Sequence, residues 1–128
     1  MRELRLVVTA DDYEAALHFY RDVLGLDERA AFSSPGGRVT ILEAGVATLE
    51  IADPPHADYI DEVEVGRRVA GPIRVAFGVD DTEATTTQLV DDGAELVAEP
   101  TRTPWGSLNS RLNAPGGLHI TIFADDPV

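Results

Sequence analysis

The chain has 128 residues, 44% of them hydrophobic and 26% charged, which is the composition of a single soluble globular domain. It contains no cysteine, so disulfides, thiolate nucleophiles and cysteine-ligated metal sites are excluded. Its 23 acidic residues outnumber 10 basic ones, all of them arginine, and the net charge of −13 disfavours nucleic acid and anionic membranes as partners.

The hydrophobic residues are spread along the chain, and no apolar run approaches the ~20 residues of a membrane span. Arg2, Glu3 and Arg5 interrupt the N-terminus where the apolar region of a signal peptide would lie. We therefore expect a cytoplasmic protein with no membrane partner.

An internal repeat organises the sequence. The apolar run Leu4–Val8 is followed by the acidic pair Asp11–Asp12, and the run Ile73–Val79 is followed by Asp80–Asp81. In each copy a Glu lies three residues after the first Asp, a spacing that resembles a helix capping box. Each half therefore begins as a strand, a cap and a helix.

The two predicted helices differ in strength. The first has apolar residues at helical spacing from Tyr13 to Leu24, with Tyr13 and Tyr20 expected in the core, and Gly25 ends it. The second, over 82–92, is rich in threonine, a poor helix former, and we predict it mainly because the repeat requires it.

Three strand-like segments follow each helix, separated by turns rich in glycine and proline, among them the turns at 34–37 and 113–117. The six predicted strands are Asp27–Ser33, Arg38–Glu43, Val46–Ala52, Leu96–Glu99, Gly106–Leu112 and Leu118–Ala124. Each half therefore reads β-α-β-β-β.

The repeat predicts a single domain over 1–128, with module one at about 1–55, a connector at about 56–71 and module two at about 72–128. The connector is polar but carries Ile60, Val63 and Val65, so we expect it to pack against the rest of the chain. One module is too small to bury its sheet face alone. We predict an α+β fold in which the two modules curl a mixed sheet around a cavity, with the helices outside.

The first helix carries a family resemblance. The segment Asp12–Leu26, with Phe-Tyr followed by Val-Leu-Gly-Leu, resembles the first helix of the vicinal oxygen chelate superfamily. Ala114–Gly117 is similar to the Asp-Pro-x-Gly turn of that superfamily, with Ala in place of Asp. The superfamily includes glyoxalase I, extradiol dioxygenases, methylmalonyl-CoA epimerase, and fosfomycin- and bleomycin-resistance proteins. With the paired modules, the resemblance covers essentially the whole chain.

The resemblance implies a divalent metal held by a His or Gln on the first strand and a Glu on the last strand of each module. These four positions fall at Arg5, Glu50, Arg74 and Thr121. A guanidinium has no lone pair to donate and Thr is a poor ligand, so only Glu50 suits a metal. His119 shares a strand face with Thr121 and is the one further candidate. We predict no metal cofactor, with a divalent metal at Glu50 and His119 as the alternative.

Two hypotheses are open for Arg5, Glu50 and Arg74. They form a structural ion network in place of the metal, or one Arg keeps free N–H donors for an anionic or carbonyl ligand. A bulge that turns Arg5 away from the cavity is a third possibility.

Alternative interpretations are also open for other residues. Trp105, on a loop, stacks on a flat ligand, or it caps the sheet edge or a dimer contact. Over 107–112, strand periodicity does not decide which alternate set faces the cavity. Asp61 and Glu62 are predicted to be solvated surface residues.

The function expected from these observations is metal-independent binding of a small molecule, of the bleomycin-resistance type, with antibiotic sequestration as one role. The resemblance also implies a homodimer. The ligand-binding candidates are Arg5, Glu50, Arg74, Trp105, His119 and Thr121. The alternatives are a lyase, isomerase or dioxygenase that uses Glu50 as general base, with or without a metal, and an interaction module whose cup is filled by side chains.

Overall fold

Eight strands and three α-helices form two β-α-β-β-β modules joined by a helix. The computed structural model describes residues 1–34 and 36–126, so the predicted turn at 34–37 includes one position, Pro35, outside the described residues. The strands are β1 Glu3–Thr9, β2 Glu28–Ser34, β3 Gly37–Ala44, β4 Ala47–Ala52, β5 Ile73–Gly78, β6 Glu95–Arg102, β7 Ser107–Asn113 and β8 His119–Asp125. The helices are α1 Tyr13–Leu17, α2 Pro54–Glu64 and α3 Thr82–Asp91. In the described part of the chain, none of them has the length and apolarity needed to cross a bilayer.

The strands form one mixed sheet in the order β2-β3-β4-β1-β5-β8-β7-β6. The antiparallel pairing of β1 with β5 joins the modules at the centre, and each module contains one parallel pair, β1 with β4 and β5 with β8. The sheet is curled and does not close. The predicted α+β architecture and the repeat are confirmed.

Each module buries one sheet face beneath its own helix. Tyr13 and Leu17 of α1 pack on Leu42, Leu49 and Ile51. In module two, a cluster of three residues lies beneath α3: Leu112, Ile120 and Ile122. Because side chains alternate along a strand, the opposite face of the same strands lines the concave side of the sheet, which we call the cup.

The N-caps of α1 and α3 lie one residue later than the capping boxes predict. The Asp12 carboxylate accepts from the backbone N–H of Ala15, and that of Asp81 accepts from Ala84, each at 3.0 Å. The second Asp of each pair is therefore the cap, and the following Glu lies in the first turn, where its charge favours the helix dipole.

The α-helical part of the first helix is shorter than predicted. After Leu17 the chain continues as a π-helical segment, His18–Val23, in which the Leu24 N–H bonds to the Phe19 carbonyl five residues back. This wider winding rotates Val23 and Leu24 away from the core, and both are exposed. The predicted apolar face therefore does not extend to the end of the segment, although Tyr20 packs on the core.

The connector packs on the sheet as predicted, but on the side that was expected to be open. It forms α2, which begins at the N-cap Asp53 with Pro54 and Pro55 in the first turn, and it packs against β3, β6 and β7. Ile60 is buried. The two predicted helices, α1 and α3, lie outside the sheet as expected, whereas α2, which was not predicted as a helix, lies in the cup.

Gly37 fixes the start of α2 against β3. The Asp53 carboxylate accepts from the backbone N–H groups of Arg38, at 3.0 Å, and His56, at 2.9 Å. Gly37 has a φ of +137°, and a Cβ there would overlap the His56 backbone and the Asp53 carboxylate. A residue without a side chain is therefore required where the helix crosses the strand.

We expect Gly37→Ala to lower the free energy of unfolding by more than ~2 kcal/mol, because it combines left-handed backbone strain with the overlap. The matched control is Gly45→Ala, where φ is +67° and no atom lies within 4 Å of an added Cβ. That change should cost about 1 kcal/mol. Urea denaturation followed by circular dichroism measures both, and equal losses would contradict the proposed close contact.

Candidate functional site

The four positions carried over from the superfamily all face the cup. Arg5 of β1 lies opposite Ala76, and Arg74 of β5 lies opposite Val7, with an unbroken register between these strands. The parallel partner of Val7 on β4 is Glu50. Arg5 and Arg74 therefore point to the same side of the sheet, and the alternative of a bulge at Arg5 is wrong.

Thr121 of β8 pairs with Ala76 and also faces the cup. It is buried, and its hydroxyl accepts from Nη1 of Arg74 at 2.7 Å. The Arg5 guanidinium instead donates to Glu3 at 3.1 Å and lies 4.5 Å from the ring centre of Phe123. Among the described residues neither Arg forms an ion pair with Glu50, so the hypothesis of a structural ion network is wrong.

Glu50 and Arg74 are half-buried on the concave face of the sheet, and this burial disfavours both charges. Burial raises the pKa of Glu50, against the opposing effect of the Arg5 and Arg74 charges. Burial and the like charge of Arg111 lower the pKa of Arg74, against the effect of nearby carboxylates. No described residue donates a hydrogen bond to the Glu50 carboxylate. An acceptor and a cation are thus placed close together without direct contact.

A cavity of about 30 Å³ separates the sheet from α2. Its wall includes Glu50, Arg74, His56, Val7 and Ile60. Nδ1 of His56 is fully buried and has no hydrogen-bond partner among the described residues. Burial lowers the pKa of His56, and Arg74 acts in the same direction, while Asp53 opposes them. The cavity has room for one or two water molecules, and its wall combines polar and apolar side chains.

A buried ion cluster holds α2 in the cup. Arg111 of β7, with an exposed fraction of 0%, donates to Glu64 at 2.8 Å and to Asp61 at 2.7 Å. Asn109, on the same strand, donates to the other oxygen of Glu64 at 2.9 Å. We call Arg111, Asp61, Glu64 and Asn109 the α2 latch. It also shows that the set containing Asn109 and Arg111 faces the cup, which periodicity left open.

The prediction that Asp61 is a solvated surface residue is wrong, since only 1% of it is exposed. One oxygen accepts from Arg68 and from the backbone N–H groups of Val69 and Ala70, at 2.8–2.9 Å. Burial acts to raise the pKa of Asp61, but these N–H groups and Arg111 outweigh it and lower the pKa to about 2. The carboxylate thus fixes both α2 and the chain that follows it. Glu62, in contrast, is exposed as predicted.

His119 supports the α2 latch and does not line the cavity. Its Nε2 lies 3.1 Å from Nη1 of Arg111, and its Nδ1 lies 3.1 Å from the side-chain oxygen of Asn113. Because a guanidinium can only donate, Nε2 accepts and the proton is assigned to Nδ1. Burial and the charges of Arg111 and Arg74 lower the pKa of His119, which favours this neutral form.

Trp105 lies outside the cavity, on the loop between β6 and β7. It is 46% exposed, and its ring lies 6.3 Å from that of Tyr59 on α2, at 52°. The structure therefore places it against the helix that closes the cup.

The residues present do not fit the metal of the superfamily. Two of the four ligand positions hold guanidinium groups, and the Thr121 hydroxyl bonds one of them. Over residues 1–34 and 36–126, the His, Asp and Glu side chains form no group of three or more that could hold a metal ion. The alternative pair, Glu50 and His119, is divided, because His119 is bonded to Arg111. That the protein works without a metal remains a prediction.

Sequence reasoning missed the α2 latch and the role of His56. One signal was present: Asp61 and Glu64 lie three residues apart and therefore share a helix face, and Arg111 lies in an alternating strand. Nothing in the sequence pairs them, because the partners are 47 and 50 positions apart.

Comparison with known proteins gives a consistent result. The model of the Glyoxalase/Bleomycin resistance protein/Dioxygenase superfamily matches residues 4–122. A Mycobacterium bovis protein that carries the name glyoxylase CFP32 is 27% identical over 118 residues, which are 91% of this chain and 41% of that protein. The chain thus spans about two fifths of the length of that relative. A Synechocystis protein named as a probable lactoylglutathione lyase is 25% identical over an alignment of 130 positions, which covers 97% of this chain and 86% of that protein.

Solved structures share the fold. Streptomyces coelicolor methylmalonyl-CoA epimerase, in complex with 2-nitronate-propionyl-CoA, superposes with a TM-score of 0.70 at 21% identity and covers 99% of both chains. The hypothetical protein BH1468 of Bacillus halodurans also has a TM-score of 0.70, at 17% identity, and the match covers 97% of this chain and 94% of that one. At these identities the likeness concerns the fold alone.

We expect Arg111→Met to lower the free energy of unfolding by about 3–5 kcal/mol, because it leaves two buried carboxylates without a counter-charge. Adding Asp61→Asn and Glu64→Gln removes those charges and should restore more than ~1 kcal/mol. Arg102→Met, at an exposed ion pair, should change stability by less than ~0.5 kcal/mol. Urea denaturation measures all three, and a triple variant no more stable than Arg111→Met would contradict the α2 latch.

The low pKa of Asp61 predicts a contribution to acid stability. The folded pKa of Asp61, about 2, lies below its ordinary value of 3.8. The ionised carboxylate therefore contributes fully to the free energy of unfolding above the ordinary pKa, and this contribution is lost as the pH falls towards 2. The stability difference between the wild type and Asp61→Asn should therefore shrink by roughly 2 kcal/mol between pH 5 and pH 2. The exposed neighbour variant Glu62→Gln is the control, and the hypothesis fails if its difference shrinks equally.

Proposed function

Since this chain belongs to the Glyoxalase/Bleomycin resistance protein/Dioxygenase superfamily, we propose that it binds a small organic molecule in the cup without a metal ion. One observation carries the proposal: Arg74 and Glu50 line the same cavity and do not satisfy each other. Thr121 is the only described acceptor for the Arg74 side chain, so most of the five guanidinium N–H donors remain for a ligand. Glu50 offers an acceptor on the same side of the sheet.

The closed cup favours a small ligand over a large antibiotic. Pockets for drug-sized molecules measure about 300–1,000 Å³. The present cavity of about 30 Å³ is far smaller, because α2 fills most of the cup. Sequestration of a glycopeptide would require α2 to leave or a second chain to build a larger site. A homodimer remains a prediction from the resemblance.

An enzyme is the second candidate, and the environment of Glu50 favours it. Burial raises the pKa of Glu50, which makes its carboxylate a stronger general base. The Arg74 guanidinium would stabilise an oxyanion or enolate next to it. A lyase or isomerase reaction that begins with proton abstraction fits this arrangement, and two relatives carry the names of a glyoxylase and a lactoylglutathione lyase.

Metal analysis and ligand-detected NMR test the proposal together. Protein purified without chelator should contain far less than one equivalent of iron, nickel, manganese or zinc. At least one of acetate, lactate, acetamide and glycerol should bind. Its affinity should fall at least tenfold in Arg74→Gln, because a hydrogen bond to a charged group is lost, and remain in Arg102→Gln, whose Arg is exposed.

Three results would contradict the proposal: a stoichiometric metal, the absence of binding by every compound in the panel, or binding that Arg74→Gln leaves unchanged. Turnover of the methylglyoxal–glutathione hemithioacetal by the wild type, abolished in Glu50→Gln, would establish the enzyme instead of a protein that only binds.

A further inference from the structure

Arg74 lacks the carboxylate partner that the other two arginines of the cup have. Arg111, which is fully buried, contacts two carboxylates. Arg5 forms an ion pair with Glu3. Arg74 donates to a neutral hydroxyl, and no described carboxylate forms an ion pair with it. Partial removal of a charge from water without an opposite charge is costly, so an anion bound beside Arg74 would be stabilised.

The cavity next to Arg74 places a second donor in reach of such an anion. His56 lines the cavity, and its Nδ1 is fully buried with no partner among the described residues. A buried N–H without an acceptor is rarer than a buried acceptor without a donor, so the neutral ring is expected to carry its proton on Nε2. Burial lowers the pKa of His56, which favours that neutral ring at neutral pH. Nε2–H is then the donor available to a ligand.

The backbone holds His56 firmly. Its N–H bonds to the Asp53 carboxylate at 2.9 Å, and that carboxylate also binds the start of β3. Gly37 allows the strand to lie directly against this turn of α2. The backbone that carries the imidazole is therefore fixed before any ligand arrives, which lowers the entropic cost of binding.

The size of the cavity limits the ligand. A volume of about 30 Å³ accepts a group as large as one or two waters. A carboxylate group is of this size and takes two donors on its two oxygens. A larger acid would place only its carboxylate here and extend towards Ala70 and Gly71, which form part of the wall.

We infer that this cavity is an anion site in which Arg74 and His56 bind the carboxylate group of a small organic acid. The inference rests on the proposed function and names the ligand class. Glu50, Asp61 and Arg68 also line the cavity, and Arg5 acts on it by its charge. A charged Glu50 repels the ligand and a protonated Glu50 donates to it, so binding should tighten as the pH falls.

The test compares acetate with acetamide, which has the same shape and no charge. The two are titrated into ¹⁵N-labelled protein at constant ionic strength, with binding followed by amide shifts. Acetate should bind at least tenfold more tightly than acetamide. Arg74→Gln should weaken acetate binding at least tenfold and His56→Phe at least threefold. The control His18→Phe, which changes an exposed histidine, should leave the affinity unchanged.

Each outcome decides the inference. Acetate binding that weakens in both variants, and tightens at lower pH, supports it. Equal affinity for acetate and acetamide overturns the anion site but leaves the proposed function intact, because a small molecule still binds at Arg74. Binding of neither compound shows that the cavity holds water alone, which overturns the inference. Loss of structure in His56→Phe is recognised from the amide spectrum, and His56→Ala, which removes the donor without adding bulk, then replaces it.

Discussion

The contact of Arg111 with Asp61 and Glu64 determines the shape of the cup. Burying a guanidinium and two carboxylates removes three charges from water, and this cost is offset only when all are paired and hydrogen-bonded. Here Arg111 donates hydrogen bonds to both carboxylates. Asn109 donates to the second oxygen of Glu64, and backbone N–H groups donate to the second oxygen of Asp61. The geometry is possible only with α2 lying in the cup. The polar connector therefore becomes part of the interior.

This arrangement divides two roles between arginines on the same sheet face. Arg111 forms ion pairs with two carboxylates of α2, so its charge serves to close the fold. Arg74 lies on β5, which β8 separates from β7; it keeps most of its donors and faces a cavity. Thr121 contacts both parts of the site. It pairs with Ala76 and with Arg111 on the neighbouring strands, and its hydroxyl accepts a hydrogen bond from Arg74. The concave face of the sheet thus carries three arginines, Arg5, Arg74 and Arg111, although the chain as a whole is strongly acidic.

Local patterns predicted the sheet well and the contents of the cup poorly. The strands follow from alternation and glycine-rich turns, and the repeat gave their pairing into modules. The four cup-facing positions followed from the resemblance, since strand periodicity fixes a face once the register is known. The α2 latch could not be predicted in this way. Asp61 looks like any solvated acid until its partner, 50 positions away, is known.

The other differences have local causes that composition does not reveal. An Asp pair offers two caps, and the backbone conformation selects Asp12 and Asp81. The π-helical winding after Leu17 depends on which side chains the core accepts: Tyr20 packs there and Val23 does not. The role of His56 depends on Gly37, which allows a strand to lie against the helix. These differences depend on backbone conformation and packing in the folded chain.

The position of Trp105 against Tyr59 gives the molecule a native optical reporter. It is the only tryptophan in the chain, and its neighbour belongs to the helix that closes the cup. Indole emission depends on the polarity and the ring contacts around it, so displacement of α2 would alter the emission spectrum without any attached dye. The opening of the cup is therefore observable in the unmodified protein.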